Sequence, residues 1–351
     1  MAQYGRALQP DFIYFRFADH PSSRRLTAGA SGGVYSGCMS LAPPPLFIVF
    51  NASSGHDDTA GVHQRVVERL RAEGRHVETF VVGQGHDLAA VIGRAVNAAR
   101  DARGAVVAAG GDGTLNAVAQ AVWNANLPMG VLPQGTFNYF ARAHGIPASL
   151  DQAIDALLQA RIEPVTVGQV GERLFLVNAS VGLYPQLLEE REQATQRHGR
   201  SRFVALMAGL ATLLRGQSVM TLELHGHGEA RVVRTRTLFV GNNELQLQAI
   251  GLREALAVER GRLAAITLQP LPMLSTLWLV LRGAIGRLDG AEGVDSFAFD
   301  RLQVQPRRGA TAMKVAIDGE IVHLPTPLVF QNAPRPLQLL VPAAADAQER
   351  P

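Results

Sequence analysis

The pattern of apolar and polar residues changes near residue 163. Before this point, short apolar runs alternate with segments in which apolar residues recur every three or four positions. The runs predict strands at residues 46–50, 77–82, 106–109 and 129–132, and the periodic segments predict helices at 61–73, 88–100, after Thr114 and at 149–159. Because this alternation is typical of βαβ units, it indicates a parallel sheet with right-handed crossovers.

After Glu163 the pattern predicts mostly short strands, with two helices among them. The predicted strands are 165–170, 173–181, 220–225, 231–240, 261–269, 297–305, 314–318 and 327–329, and the predicted helices are 203–214 and 274–288. The predicted class is therefore α/β: an N-terminal open parallel-sheet domain at residues 46–163, then a C-terminal mostly antiparallel β-sandwich domain at residues 164–336.

Residues 1–45 differ from the rest of the chain. They lack sustained periodicity, contain many Ser, Gly and Pro residues, and end in three prolines. We expect a disordered extension there.

Composition narrows the possible functions. Hydrophobic residues make up 47% of the chain and charged residues 18%, as expected for a globular protein. The net charge of +3 permits attraction to anionic lipid, and no aromatic platform or motif supports nucleic-acid binding. Cys38 is the sole cysteine, which excludes a disulfide framework and fits a cytoplasmic location. Residues 271–286 are the longest apolar stretch, but they are too short for a spanning helix; they form either a buried helix or an apolar face that contacts membrane.

The strongest chemical signal is the run Gly110-Gly111-Asp112-Gly113-Thr114, between an apolar run and a segment of helical spacing. A glycine turn from a strand into a helix presents unpaired main-chain N–H groups that can bind phosphate. Lys314 is the only lysine, so a P-loop is excluded and phosphate must be held by amides, hydroxyls, arginine or metal. Asp112 would repel a bare phosphate, and therefore suggests a metal ion or a sugar hydroxyl. The alternative is a tight connection in which Asp112 and Thr114 cap the helix.

Two other polar loops follow predicted strands. Asn51-Ala52-Ser53-Ser54-Gly55 follows the first strand, and residues 132–142, which include Gly135 and Thr136, follow the strand at 129–132. The carboxyl ends of parallel strands share one rim, where ligands bind. Three such loops on one rim predict a nucleotide site.

Together these segments resemble the diacylglycerol kinase catalytic family, which includes bacterial lipid kinases and sphingosine and ceramide kinases. The family pattern is Asn-Pro-x-Ser-Gly, then Gly-Gly-Asp-Gly-Thr, then Gly-Thr-x-Asn. The resemblance covers roughly residues 46–342 and continues through residues 178–183, 199–203, 240–242 and 317–320. It implies that a last strand at about 337–342 returns to the first domain, as in an NAD kinase/diacylglycerol kinase-like fold.

The resemblance implies an ATP-dependent lipid kinase that transfers the γ-phosphoryl group to a diacylglycerol-like or sphingoid-like alcohol, with Mg²⁺ and with transient contact to a membrane surface. It assigns the general base to Asp318 and a supporting role to Glu320; Asp318-Gly319 is equally typical of a hairpin turn. Asp112 would contact nucleotide-linked Mg²⁺. The residues that match nucleotide-binding positions are Asn51, Ala52, Ser53, Ser54, Gly55, Gly110, Gly111, Asp112, Gly113, Thr114, Leu115, Asn116, Gly135 and Thr136.

The chain departs from the family pattern at several positions. Ala52 replaces a proline, Tyr139 replaces an aspartate, and Val258-Glu259-Arg260-Gly261 stands where members with a structural Mg²⁺ site have Asp-Asp-Gly. These departures leave open a lipid- or nucleotide-binding protein that has lost turnover. A second alternative is an NAD kinase-like enzyme that acts on a soluble nucleotide, because NAD kinases carry a similar glycine turn; the first loop and the Asp318 segment argue against it.

Overall fold

The structure, a computed structural model, describes residues 43–51, 59–83, 87–135, 137–182, 219–226 and 229–343. Its first part alternates strands and helices. The strands are β1 (Leu46–Asn51), β2 (Val77–Val82), β3 (Ala105–Gly110), β4 (Met129–Pro133) and β5 (Ala160–Val165), and the helices are α1 (Thr59–Ala72), α2 (Leu88–Asp101), α3 (Asp112–Ala125), α4 (Tyr139–Ala143) and α5 (Leu150–Leu158).

These strands form a sheet with the order β2-β1-β3-β4-β18-β5, in which β18 (Leu337–Pro342) is the last strand described. Strands β1 to β4 pair in parallel, and β18 lies parallel to β4. Strand β5 pairs antiparallel with β18 at the edge. The predicted N-terminal parallel sheet is confirmed, and a strand from the end of the chain completes it.

Side chains of β1 contribute to two hydrophobic clusters, one on each face of this sheet. Phe47 and Val49 pack with residues of α2 and α3, whereas Leu46, Ile48 and Phe50 pack with residues of α1 and α5. Because helices cover both faces, the central strands read as continuous apolar runs rather than as alternating ones.

The other described strands are β6 (Gly168–Val170), β7 (Arg173–Phe175), β8 (Asn178–Gly182), β9 (Met220–Gly226), β10 (Glu229–Thr235), β11 (Thr237–Gly241), β12 (Leu263–Leu268), β13 (Val294–Phe299), β14 (Arg301–Pro306), β15 (Ala312–Ile317), β16 (Glu320–Pro325) and β17 (Leu328–Asn332). They form two six-stranded sheets, ordered β10-β9-β14-β17-β6-β7 and β13-β12-β11-β8-β15-β16. All the pairings described within these two sheets are antiparallel. Leu224 and Phe330 from one sheet share a core with Val181 and Val240 from the other, which confirms the predicted β-sandwich.

Several strands predicted as one are two strands in the structure. The predicted strand 231–240 is interrupted at Arg236, and the predicted strand 297–305 is interrupted at Asp300. In both cases the chain crosses from one sheet of the sandwich to the other. The strand-like pattern of these segments cannot reveal such a crossing, because both halves contribute residues to the same core.

In the described part of the chain, three more helices lie among these strands: α6 (Glu244–Ala249), α7 (Ala255–Glu259) and α8 (Met273–Ala284). Helix α8 corresponds to the prediction at 274–288 but ends earlier, and α6 and α7 were not predicted. The predicted helix at 203–214 and the predicted extension up to residue 42 lie outside the described residues. None of the described helices is long and apolar enough to cross a bilayer.

Candidate functional site

The turn from β3 into α3 has the predicted strand–turn–helix form. Gly110 ends β3, and Gly111 is the N-cap of α3 in an extended conformation (φ −85°, ψ −177°), with no side-chain capping hydrogen bond. Asp112 and Thr114 therefore do not cap the helix; instead, the Thr114 hydroxyl accepts a 2.8 Å hydrogen bond from the Asn51 side chain at the end of β1. The first turn of α3 is left with main-chain N–H groups that no side-chain cap satisfies, as an anion site requires.

The loop after β4 lies against this turn, as expected for neighbouring strands that end at one rim. Gln134 donates a 3.0 Å main-chain hydrogen bond to Gly110. A Cβ on Gly135 would lie 3.6 Å from the Gly111 Cα and 2.9 Å from the Asn138 Oδ1. Two of the three predicted nucleotide loops are therefore in contact through glycines.

Five predicted positions of the nucleotide loops lie outside the described residues: Ala52, Ser53, Ser54 and Gly55 of the first loop, and Thr136 of the third.

Leu115 is the predicted position least suited to a side-chain contact. Its side chain is buried in the core of the first sheet, so only its main chain can face a ligand.

Asp318 lies at the turn between β15 and β16, with φ of 45°, and Gly319 follows with φ of 93°. Two consecutive positive φ values, between the paired residues Ile317 and Glu320, are those of a two-residue hairpin. The turn predicted as an alternative is therefore present. The Asp318 side chain nevertheless points inward, toward the N–H groups of residues 176–178. The main-chain N–H of Asp318 also bonds to the Asn178 carbonyl at 2.9 Å, which ties the turn to β8.

The Asp318 carboxylate accepts four hydrogen bonds, two on each oxygen. Oδ1 accepts from the main-chain N–H groups of Val177 and Asn178, both at 2.9 Å. Oδ2 accepts from the Leu176 N–H at 2.7 Å and from the Asn116 Nδ2 at 2.7 Å. The last bond spans 202 positions in sequence and joins helix α3 directly to the sandwich turn.

A second contact between α3 and the sandwich lies one helical turn further along. The Asn116 Nδ2 also donates to the Leu174 carbonyl at 3.0 Å, and the Gln120 Oε1 accepts from the Leu174 N–H at 2.8 Å. Two side chains of α3 therefore hold both main-chain polar groups of one β7 residue. Sequence reasoning missed Gln120, whose only signal was its spacing of four residues from Asn116.

Glu320 brings a further carboxylate to the start of α3. A Cβ built on Gly113 would lie 2.7 Å from the Glu320 Oε1, so this oxygen sits over the first turn of the helix. The helix N-terminus favours negative charge at that position.

Burial raises the pKa of two carboxyl groups at this junction. It raises that of Asp112, and it raises that of Asp318 even though the four hydrogen bonds to its carboxylate act in the opposite direction. A raised pKa makes a carboxylate a stronger base, and a cation bound nearby would stabilise its ionised form.

Among the described residues, no three His, Cys, Asp or Glu side chains are grouped closely enough to hold a metal ion by themselves. Asp112 and Glu320 provide the hard oxygen ligands that Mg²⁺ prefers, and both lie at the first turn of α3. Two carboxylates suit an ion that is also bound by a nucleotide, since Mg²⁺ is commonly held by one or two carboxylates together with phosphate oxygens.

Comparison with known proteins gives consistent similarities. A model of the diacylglycerol kinase catalytic domain matches residues 45–170. The chain is 31% identical over 284 residues to a Pseudomonas fluorescens protein named "Probable lipid kinase YegS-like", covering 74% of this chain and 89% of that protein. It is 28% identical over 170 residues to a Mycobacterium tuberculosis protein named "Diacylglycerol kinase", covering 46% and 54% of the two chains.

A solved structure supports the fold. The crystal structure of a diacylglycerol kinase from Bacillus anthracis matches with a TM-score of 0.62 over 86% of this chain and 98% of that one. The identity is 14%, so this likeness concerns the arrangement of strands and helices alone.

Proposed function

The chain belongs to the diacylglycerol kinase catalytic family, a family of lipid kinases, and on this premise we propose that it transfers the γ-phosphoryl group of ATP to the hydroxyl of a diacylglycerol-like or sphingoid-like lipid. The observation that carries the proposal is the 2.7 Å hydrogen bond between Asn116 and Asp318. It brings the glycine turn of the first sheet and the acidic turn of the sandwich, which are far apart in sequence, to one junction.

We assign the triphosphate to the start of α3. The uncapped N–H groups there, together with Gly111, where a Cβ would have no described atom within 4 Å, allow phosphate oxygens to approach the main chain closely. Asp112 and Glu320 would hold Mg²⁺ together with the nucleotide. The ion would supply positive charge that offsets the charge of the phosphates.

We assign the acceptor hydroxyl to the side of the junction where Asp318 lies. The hydroxyl oxygen forms a new bond to the γ-phosphorus, the bond between that phosphorus and the bridging oxygen breaks, and ADP leaves with the electron pair. The hydroxyl proton passes to the Asp318 carboxylate, and burial favours this because it raises the pKa of Asp318. Glu320 is placed to support Asp318 or the metal ion.

We further propose that the protein meets its lipid at an anionic membrane surface, through helix α8. Trp278 and Leu281 are 58% and 51% exposed, and Ile285, just beyond the helix, is 57% exposed. Residues 270–288 contain Arg282 and Arg287 and no acidic residue. Exposed aromatic and aliphatic side chains beside arginine are typical of segments that lie in the lipid interface. Because the proposed donor is ATP and a single cysteine fits a reducing compartment, we expect this surface to meet the membrane from the cytoplasmic side.

The direct test is phosphoryl transfer from radiolabelled ATP to a panel of lipid alcohols in mixed micelles, with NAD as a soluble acceptor. We expect a labelled lipid with wild-type protein and none with Asp318→Asn, which should retain ATP binding. Transfer to NAD but to no lipid would instead indicate the NAD kinase-like alternative. ATP binding without transfer to any acceptor would indicate a protein that has lost turnover.

A further inference from the structure

The hydrogen bonds to Asp318 differ in how readily they can be exchanged. Three come from the consecutive main-chain N–H groups of residues 176–178, which lead into strand β8. They cannot leave the carboxylate unless the start of that strand is displaced. The fourth comes from the Asn116 side chain, which can turn away by rotation about its own single bonds.

The four hydrogen bonds leave the Asp318 carboxylate no position for a substrate hydroxyl. Each oxygen already accepts two hydrogen bonds, which is the usual capacity of a carboxylate oxygen. An incoming hydroxyl can therefore bind Asp318 only in place of one of the four donors. Asp318 and Asn116 each have part of their surface exposed, so the junction opens to solvent beside this pair.

We propose that Asn116 is a positioning residue that occupies the Oδ2 of Asp318 until the acceptor hydroxyl replaces it. The inference rests on the proposed kinase function. On arrival the hydroxyl donates its proton toward Oδ2, and the Asn116 amide keeps its bond to the Leu174 carbonyl. The hydroxyl oxygen then attacks the γ-phosphorus of the bound nucleoside triphosphate, ADP leaves with the electron pair, and Asp318 holds the proton until solvent removes it.

This exchange predicts that Asn116→Ala changes the KM for the lipid more than it changes kcat. The alanine variant has no amide that the acceptor hydroxyl must displace from the Asp318 Oδ2, so the lipid should bind more readily. In the wild-type complex Asn116 has already left the carboxylate, so its removal should matter less for turnover. We expect the KM for the lipid to fall about fivefold in Asn116→Ala, a larger change than any change in kcat.

Gln120→Ala is the matched control. Gln120 lies one turn from Asn116 and also bonds to Leu174, but none of its described hydrogen bonds reaches Asp318. This variant loses a comparable contact between α3 and the sandwich, and we expect its KM for the lipid to match wild type. A lower kcat with an unchanged or raised KM in Asn116→Ala would show that Asn116 stays bonded to Asp318 throughout turnover and would overturn the proposal. So would an equal fall of KM in Gln120→Ala.

A binding measurement separates this inference from the proposed function. The side-chain amide signal of Asn116, assigned by its absence in Asn116→Ala, can be followed by ¹⁵N NMR as MgADP and 1,2-dioctanoylglycerol are added. We expect the signal to move when both are present and not with MgADP alone. A signal that moves without any measurable transfer would leave the exchange intact and contradict the kinase assignment. Transfer with an unmoved signal would refute the exchange and leave the kinase assignment intact.

Discussion

The hydrogen bonds of Asp318 make the substitution Asp318→Asn a test of stability as well as of activity. Asparagine has the same shape but offers one oxygen and one NH₂ group in place of two oxygens. Whichever way the amide is oriented, two of the four donors that now bind the carboxylate face N–H hydrogens. A buried donor left unsatisfied costs about 1–3 kcal/mol. Because the turn is partly exposed, water can compensate for some of this loss, and we expect the variant to lose about 2–4 kcal/mol of unfolding free energy.

Urea unfolding, followed by fluorescence of the two tryptophans, measures this loss directly. Asp112→Asn is the matched control, since it makes the same chemical change at the other carboxylate whose pKa burial raises. The described residues show no hydrogen bond to the Asp112 side chain, so we expect a change of no more than about 0.5 kcal/mol. An Asp318→Asn variant as stable as wild type would show that the four hydrogen bonds are absent or fully replaced by water.

Asp318 is both the proposed proton acceptor and an anchor of its own turn. Asp318→Asn can therefore abolish transfer in two ways, by removing the base or by loosening the site. ADP affinity separates them, because in the described hydrogen bonds it is Asn116 that joins the nucleotide residues of α3 to Asp318. Loss of transfer with wild-type ADP affinity would indicate a missing base, whereas a parallel fall in both would indicate a loosened site.

Three further predictions concern other parts of the molecule. Gly111→Ala should lower the unfolding free energy by at most about 1 kcal/mol, because no described atom lies within 4 Å of the new Cβ and the cost is that of alanine at an N-cap. It should weaken ATP binding at least about tenfold in calorimetry by keeping phosphate from the main chain. Gly110→Ala, whose Cβ would lie 2.8 Å from the Thr114 side chain, should instead lower the unfolding free energy by about 1–3 kcal/mol. Trp278→Ser should reduce sedimentation with vesicles containing phosphatidylglycerol about tenfold. The control Val232→Ser, at a 49% exposed residue of β10, should sediment like wild type. If both variants bind the vesicles equally well, α8 is not the membrane face. Burial lowers the pKa of His144 from 6.5 to about 4, so the unfolded chain binds a proton at this histidine more readily than the folded protein. The unfolding free energy should therefore fall by about 3 kcal/mol as the pH drops from 7 to 4. His144→Gln should lose less unfolding free energy over this range, and a variant with the wild-type pH slope would contradict the prediction.

The features that could be predicted from the sequence are those set by neighbouring residues. The apolar run of β3, the glycine turn and the helical spacing of α3 occupy one continuous segment, and each follows from local geometry. The contact between the loops after β3 and β4 also follows, because parallel neighbours end at a common rim. Predictions of this kind need no knowledge of how distant segments pack.

The junction between the two parts of the molecule could not be derived in that way. Asn116 and Asp318 are 202 residues apart, and their contact depends on how α3 packs against the sandwich. Periodicity carries no information on that packing, and the resemblance to a family implied roles for both residues without implying a bond between them. The pair Asp318-Gly319 illustrates the limit: its sequence favours a hairpin, and the hairpin is present, but only the tertiary structure shows that its carboxylate turns inward.

The error at residues 173–181 has the same cause. This apolar segment predicted one strand, but the structure has β7 and β8 with Leu176 and Val177 between them. The N–H groups of these two residues bond to the Asp318 carboxylate rather than to a neighbouring strand. A buried N–H must have a partner, so a strand can be interrupted only where another acceptor is supplied. Here a side chain from a distant turn supplies it, and the interruption places three amides and one carboxylate beside the helix to which we assign the nucleotide.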